Sequence, residues 1–556
     1  MCSSSRPWTA TRTQLAHGNH EMRSRIAAAG GIEQVMAVMD SKLTDAHAQA
    51  KACWSLVNLA CSAPENQAKI ATLGGIPRII SALIAHPHHE ELQQEGCKCL
   101  YFLSFLPRNH LRIADAGGIE QLISIITVYL NRPRVKILEQ ACAALSALAI
   151  KASNKAAIAA AGGVPALFRV LDEHPTVCAL MEVCLLALNN LADDSLVKNE
   201  IAHIASGLKW ERAGAAKPAQ THERNNEALA LSLTHTHTFT HTEFELFGIM
   251  CLRCDDVIRS GEVYYRPAAC TGGMQRVLAV FLGHKGHQGI AQQACGLICN
   301  LALSEEHQPR LAAAGGITII LGALNQFRHV AAVVVQACAA LWAISHNTAN
   351  QRQIVKLGGI KILVSALETF PEEPSVSETV CSALANLATD RENHIKLAAA
   401  GGIEAVLQAL DRHTHHVGVC EEACAMLEHW TKNAKVSAVT AGGRGGGGKG
   451  GGAVVQRILC AMAGHRGYSG VQEKGCMTMY NLACNCDSIK ETIAGAGGIQ
   501  SIISAMELPR THILLQQYAC SALLRLLFFY SVAWRKLLTR DLNNGLLPLT
   551  FLIFNF

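Results

Sequence analysis

Apolar residues recur along this chain in a helical pattern that returns about every 43 residues. Residues 380–410 show it completely: an apolar helix, a short helix that begins near Asn393, a Gly401-Gly402 pair, and a further apolar helix, Ile403–Leu410. The same order of elements can be counted ten times. A repeat of this length is typical of all-helical solenoids. The pattern therefore predicts an all-α chain of about ten three-helix units.

Glycine pairs and asparagines mark the predicted helix ends. The pair ends the short first helix, because glycine accepts the left-handed conformation that follows a helix. The pairs begin at Gly30, Gly74, Gly117, Gly162, Gly272, Gly315, Gly358, Gly401, Gly442 and Gly497. In five repeats an asparagine stands eight residues before the pair, and we expect it to cap the N-terminus of the first helix. These residues are Asn66, Asn109, Asn154, Asn350 and Asn393.

A cysteine recurs on the long third helix of each repeat. With this cysteine at 0° and 100° per residue, the apolar residues three and six positions later lie at about 300° and 240°, so that all three form one core stripe. Cysteine on such a stripe acts as a small buried hydrophobe. So many thiols also favour a reducing compartment, the cytoplasm or the nucleus. The position holds Cys53, Cys97, Cys142, Cys295, Cys338, Cys381, Cys424, Cys476 and Cys520, and Cys184 stands one residue early in its own repeat.

Two stretches interrupt the repeats. The repeat register stops at Gly207 and resumes at Gly273, so residues 208–272 are interpreted as a low-complexity, disordered insertion in one helix-to-helix turn. A Gly-rich loop, residues 442–452, occupies the equivalent turn of the ninth repeat. The predicted organisation is a disordered segment 1–18, repeats over 19–207 and 273–527, and an apolar tail 528–556 with no assigned place.

Composition narrows the classes of function. Forty-eight Lys and Arg against 43 Asp and Glu leave a net charge of +5, without the clustered positive charge that nucleic acids require. No stretch of about 18 uncharged apolar residues predicts a membrane span, and the first residues lack the apolar core of a signal peptide. No phosphate-binding loop, nucleophile triad or paired carboxylates occur. We therefore predict no enzyme activity and no cofactor.

Histidines and one cysteine pair are the candidate metal ligands. Cys251 and Cys254 form a single CxxC, which is a weak zinc signal without a second pair. Nine of the 25 histidines collect in the loop before the third helix, where we interpret them as solvated polar residues, and we predict no metal site. They are His86, His88, His89, His284, His287, His413, His415, His416 and His465.

The repeats resemble the armadillo family, whose pattern is VQEQAC-x-AL-x-NLA followed by N-x7-GGI-x2-LL. Gln292–Ala302, Glu422–Leu427 and Val471–Ala483 are similar to it, and the resemblance covers about residues 19–527. Within the family the chain is most similar to vacuolar protein 8 and to the armadillo segment of the leucine-rich repeat kinases. The resemblance implies a right-handed superhelix of three-helix repeats that binds protein or extended peptide segments in a groove lined by the third helices. We expect a monomer.

The resemblance also implies partner-binding residues on the third helices. Asparagine five positions after the cysteine position lies at about 140°, almost opposite the core stripe, so its amide is expected to face the groove and to pair with a partner's backbone. The alternative is that these asparagines bond neighbouring helices. The predicted binding residues are Trp54, Asn58, Asn190, Asn300, Asn386 and Asn481.

Three classes of function remain at this stage. A non-enzymatic protein-binding scaffold or adaptor follows most directly from the resemblance. A nuclear transport adaptor for basic localisation signals is disfavoured, because the position that Trp54 occupies holds Lys98, Ala143 and Gly296 in other repeats. The third hypothesis is a regulatory armadillo fragment of a larger multidomain enzyme.

Overall fold

The computed structural model describes residues 20–204, 272–433, 450–485, 487–509 and 511–527. Helices and the turns between them account for these ranges, and no residue within them forms a β-strand. The chain divides into two compact units, residues 1–284 and residues 285–556. The predictions for 1–18 and 528–556 fall on residues outside the described ranges. So do those for 208–272 and 442–452, apart from Gly272 and residues 450–452.

The described helices are numbered in chain order. In the first unit they are α1 (His20–Ala28), α2 (Gly31–Ser41), α3 (Ala46–Ala60), α4 (Pro64–Thr72), α5 (Gly75–Ala85), α6 (Glu90–Leu103), α7 (Asn109–Asp115), α8 (Gly118–Tyr129), α9 (Val135–Leu148), α10 (Ala152–Ala160), α11 (Gly163–Glu173), α12 (Cys178–Leu191), α13 (Ser195–His203) and α14 (Gly273–Gly283). In the second unit they are α15 (Gln288–Ala302), α16 (His307–Ala313), α17 (Gly316–Gln326), α18 (Ala331–Ile344), α19 (Thr348–Lys356), α20 (Gly359–Thr369), α21 (Pro374–Leu387), α22 (Asn393–Ala399), α23 (Gly402–Arg412), α24 (Val417–Thr431), α25 (Gly450–Gly464), α26 (Ser469–Asn485), α27 (Asp487–Gly495), α28 (Gly498–Ala505) and α29 (Ile513–Leu527).

These helices follow one another as a short first, a second and a long third helix, as the repeat pattern predicts. The third helices pack side by side within each unit: α3, α6, α9 and α12 in the first, and α15, α18, α21, α24 and α26 in the second. The second helices α2, α5, α8 and α11 form a parallel layer beside them. The prediction of an all-α solenoid is confirmed.

The two glycines of each pair serve different purposes. The first has φ between 73° and 86° in eight repeats, which confirms the predicted left-handed turn. The second is needed because two helices meet closely there. A Cβ on Gly359 would lie 2.5 Å from Cγ2 of Ile354 and 2.9 Å from the carbonyl oxygen of Ile354. Any larger residue at this position would push the first and second helices apart.

The third-helix cysteines form the centre of the core in both units. Burial raises the pKa of Cys53 and of Cys295 to about 12. The exception to the predicted burial is Cys520, which is exposed because α29 is the last described helix and its outer side meets no described repeat. The buried members are Cys53, Cys97, Cys142, Cys184, Cys295, Cys338, Cys381, Cys424 and Cys476.

An arginine–aspartate pair links successive second helices. Arg276 at the fourth residue of α14 pairs with Asp172 near the end of α11, and its Nε lies 3.1 Å from Oδ1. Arg78 pairs with Asp40 in the same way between α5 and α2, through Nε at 2.6 Å. The equivalence places α14, the first helix after residues 205–271, in the register of a second helix.

Candidate partner-binding face

The third-helix face is defined by the positions one and five residues after the core cysteine position. These two positions lie one turn apart on the helix, turned away from the buried stripe of cysteine and leucine. On α3 they hold Trp54, which is 54% exposed, and Asn58, which is exposed. The amide nitrogen of Asn58 donates to the carbonyl oxygen of Trp54 at 2.9 Å, within the same helix. The predicted solvent-facing position is therefore observed on α3.

The asparagines of later repeats are placed differently. Asn190 on α12 donates through Nδ2 to the carbonyl oxygen of Ser146 on α9, at 3.0 Å. Asn386 on α21 donates in the same way to Trp342 on α18, at 3.1 Å, and is half-buried. Within the described ranges no donor pairs with the amide oxygen of either residue. Each asparagine thus bonds the neighbouring helix, the alternative considered above, and keeps one acceptor atom.

Asn481 departs furthest from the expectation of open solvent. It is 8% exposed, and its Nδ2 donates to the carbonyl oxygen of Glu428 at 3.1 Å. The Glu428 carboxylate is also buried and pairs with Lys432 at 2.8 Å and Lys474 at 3.3 Å. Burial raises the pKa of Glu428, but the hydrogen bond from Lys432 and the charge of Lys474 outweigh it and hold the pKa below its usual value. Asn300, the remaining predicted residue, is half-buried on α15.

These bonds share one cause. The last four carbonyl groups of a helix have no partner inside that helix. Ser146, Trp342 and Glu428 all lie within the last four residues of their third helices. An amide on the next third helix is long enough to reach them. Sequence spacing predicted which side of its own helix the asparagine occupies, but not that the neighbouring helix ends beside it.

The sequence suggested that the first-helix asparagines are N-caps, but in the structure they are not. Asn350 is 3% exposed and lies inside α19, whose N-cap is Asn347. Its Nδ2 donates to the carbonyl oxygens of Ile344, at the end of α18, and of Gln308, in the first helix of the preceding repeat, both at 3.1 Å. The same pair of bonds is made by Asn109 and Asn154, and the bond to the third-helix end by Asn66 and Asn393.

The residue after this asparagine completes the same helix end. Gln351 donates to the carbonyl oxygen of Ser345 at 2.8 Å, and His394 places Nε2 2.7 Å from the carbonyl oxygen of Ala388. Burial lowers the pKa of His394, which favours its neutral form. Asn386 and Asn350 supply donors to two terminal carbonyls of α18, and Gln351 supplies one to its C-cap, Ser345. Side chains from the following repeat therefore cap the C-termini of the third helices.

Six of the nine loop histidines are hydrogen-bonded through their rings, contrary to their interpretation as solvated residues, whereas His88 and His415 are exposed. His86 and His174 place Nε2 2.9 Å and 2.7 Å from the carbonyl oxygens of Leu43 and Leu130, each in the loop of the preceding repeat. A second set caps third helices: Nδ1 of His89 accepts from the backbone of Leu92 at 3.2 Å. The same cap is made by His287 and His416. These bonds explain the position of the histidines without a metal.

An aromatic cluster on α6 and the turn after it was not identified from the sequence. Tyr101, Phe102 and Phe105 make mutual edge-to-face contacts, with ring centroids 4.8–5.6 Å apart. Phe105 is 51% exposed. Phe102 occupies the asparagine position of its repeat, one helix along from Trp54. The signal was the run of aromatic residues where other repeats have asparagine or alanine.

Comparisons with known proteins agree with this architecture. Residues 273–430 match the family model described as the GAC ARM domain. A solved structure concerned with a phosphorylation switch that controls the interaction between cadherin and β-catenin is similar over 91% of this chain and 85% of its own, with 17% identity and a TM-score of 0.60. The fold is that of the armadillo repeat. The closer likeness to vacuolar protein 8 and to leucine-rich repeat kinases stays a prediction.

An engineered protein of known structure shares 18% identity over 56% of this chain and 96% of its own, with a TM-score of 0.39. No curated protein matches the sequence.

The described helices were also tested for membrane spans. None is by itself long and apolar enough to cross a membrane, and only the pair α4 and α5, bent by 71°, reaches the required length and composition together.

Proposed function

We propose that this armadillo-repeat chain is a non-enzymatic scaffold that binds an extended segment of a partner protein on the third-helix face of its first unit. The observation that carries the proposal is the exposure of Trp54 on α3 and of Phe105, which packs against Phe102 at the third-helix face of α6. Exposed aromatic groups of this size cost free energy in water and are enriched where proteins bind one another. The named β-catenin structure supports the same class of function, because it concerns an interaction with cadherin.

The spacing of the face fits an extended chain. Neighbouring packed helices lie about 10 Å apart, which corresponds to about three residues of extended backbone at 3.3 Å each. Trp54 on α3 and Phe102 on α6 would therefore contact partner side chains about three residues apart. The amide oxygen of Asn58 would accept from the partner's backbone between them, since its Nδ2 already bonds Trp54.

The face of the second unit is proposed to contribute fewer polar contacts than the sequence suggested. Asn386 uses its amide nitrogen on α18, so it offers a partner one acceptor rather than a donor and an acceptor. Asn481 is buried and is proposed as a structural residue. A binding role for Asn300 and Asn190 remains part of the proposal. We also retain the cytoplasm or nucleus as the compartment, because the buried thiols are free.

Photo-crosslinking tests the face directly. A benzoylphenylalanine at position 143, on the third-helix face of α9, should capture peptides selected from a random 16-residue display library. The same residue at position 84, an exposed apolar site of α5, should not. Trp54→Ala should weaken binding of the selected peptides about 30-fold, as expected for a central aromatic contact.

The control is Leu43→Ala, which truncates a 65% exposed apolar side chain away from the face. It should leave binding unchanged. Crosslinking at position 84, or equal losses in the two variants, would refute the proposed face. Selection of peptides rich in lysine and arginine would instead favour the transport-adaptor alternative.

A further inference from the structure

A loop histidine of the fifth repeat lies beside a thiol. His284 places Nε2 2.7 Å from the carbonyl oxygen of Pro175, as His86 and His174 do with their own preceding loops. A carbonyl oxygen can only accept, so Nε2 carries the hydrogen and Nδ1 of the neutral ring keeps a free electron pair. The sulfur of Cys178 lies 3.6 Å from that Nδ1. The thiol therefore donates to an imidazole whose tautomer is fixed by the backbone.

Two equivalent histidines have no cysteine at the start of the helix beside them. The third helix beside His86 begins with Ala46, and the one beside His174 begins with Val135. The bond from the histidine to the preceding loop is thus a general feature of these repeats, whereas a cysteine at the first residue distinguishes α12 from α3 and α9. The two histidines at positions 174 and 284 consequently form a natural matched pair, one without and one with a cysteine.

Cys178 is also placed where negative charge is stabilised. It is the first residue of α12, a helix of 14 residues whose N-cap, Val177, offers no side chain to the first backbone amides. The positive end of a helix dipole favours an anion at this point, and the thiolate is the nucleophilic form of cysteine. Cys178 is half-buried, so a small reagent can reach it. The third-helix core cysteines differ from Cys178 in their burial, which raises the pKa of Cys53 to about 12.

We propose that Cys178 and His284 form a thiol-modification site that exchanges with small disulfides. The Nδ1 of His284 takes the proton from the sulfur of Cys178, and the thiolate attacks one sulfur of the disulfide. A new sulfur–sulfur bond forms as the old one breaks, and the electron pair leaves on the second sulfur. That sulfur takes the proton from the imidazolium. Cys178 ends as a mixed disulfide, and half of the reagent is reduced to a thiol.

The test uses the full chain, reduced, with glutathione disulfide as the probe and peptide mass spectrometry to follow each cysteine separately. At pH 7 Cys178 should react at least tenfold faster than Cys460, which is exposed. Raising the pH to 8.5 should change the Cys178 rate less than threefold, whereas an ordinary thiol gains about 15-fold as its thiolate fraction grows. This pH comparison requires no substitution.

The matched variants separate catalysis by the imidazole from its structural bond. His284→Gln keeps a donor for Pro175 and removes the base, so Cys178 should slow to within twofold of Cys460. His174→Gln makes the same change one repeat earlier and should leave the Cys178 rate unaltered. Cys338, buried in the core, reports unfolding, because it should stay unmodified in every variant. Equal rates for Cys178 and Cys460, or equal effects of the two glutamine variants, would overturn the proposal.

Discussion

Replacing Asn350 by aspartate separates two roles that this residue could have. As an N-cap, asparagine and aspartate are nearly equivalent, so the change would be neutral. In the structure Asn350 is a buried donor between the carbonyl oxygens of Ile344 and Gln308. Aspartate has the same shape and no hydrogen to donate, so it would place a carboxylate against two oxygens.

The cost can be worked from the bonds. Two buried hydrogen bonds at about 1 kcal/mol each are lost, and the terminal carbonyl of Ile344 keeps only a long bond, 3.4 Å, from the backbone N–H of Asn347, which costs about 1 kcal/mol more. Asn350→Ala should therefore destabilise its repeat by about 3 kcal/mol. Asn350→Asp should cost at least as much, since the carboxylate must be buried or protonated.

Hydrogen exchange followed by mass spectrometry is the suitable assay, because repeat proteins open locally and one global unfolding energy is not defined. A loss of 3 kcal/mol raises the opening of residues 344–356 by about 100-fold, since 1.4 kcal/mol is a factor of ten. The half-buried N-cap provides the control: Asn347→Asp should be nearly neutral. An unchanged exchange rate in Asn350→Asp would show that the residue is a cap and that the bonds to neighbouring helices contribute nothing.

Three further predictions concern the turns and the titrating core. Gly359→Ala should destabilise by about 1–3 kcal/mol through overpacking, and Gly358→Ala by about 1–2 kcal/mol through its left-handed backbone alone, both measured by the same hydrogen-exchange assay. Burial lowers the pKa of His394, so folding stability should fall as the pH drops below about 6.5, and His394→Gln, which keeps a donor, should melt with less dependence on acid. Burial raises the pKa of Cys53 and of Cys295 to about 12. The contribution of these thiols to folding stability is therefore complete below the pKa of an unfolded cysteine, near 8.5, and is lost as the pH rises towards 12. Circular dichroism should show alkaline unfolding, and Cys53→Ala should reduce it.

Helices and core could be predicted because their signals are local and repeated. A glycine pair specifies its turn through its own backbone, and the stripe of cysteine and leucine follows from helical periodicity alone. The buried pair Cys142 and Cys184, with sulfurs 3.7 Å apart, shows that even a displaced cysteine reaches the same core. Cys520 failed the expectation because burial also requires a neighbour, which no residue of its own helix can supply.

The candidate site was harder to predict, since the partners of its residues lie a repeat away. Asn386 and Asn350 are 36 positions apart in sequence, yet both donate to the end of α18. Asparagine is common at helix N-termini, so its position suggests an N-cap. Nothing in the local sequence reveals that its side chain donates to carbonyls of another helix. Phe102 was passed over for a related reason: it interrupts the asparagine pattern, and its cluster with Phe105 is a three-dimensional property.

The side chains that end each third helix have a consequence for synthesis on the ribosome. The donors for α18 come from Asn350, Gln351 and Asn386, all of which are translated after it. A nascent chain therefore lacks these side-chain donors to its most recent third helix until about one more repeat has emerged, which takes several seconds at about 5–20 residues per second. Folding should consequently trail translation by about one repeat, from the N-terminus onward, and a nascent chain that has emerged from the ribosome only as far as residue 347 would have α18 as its least protected helix.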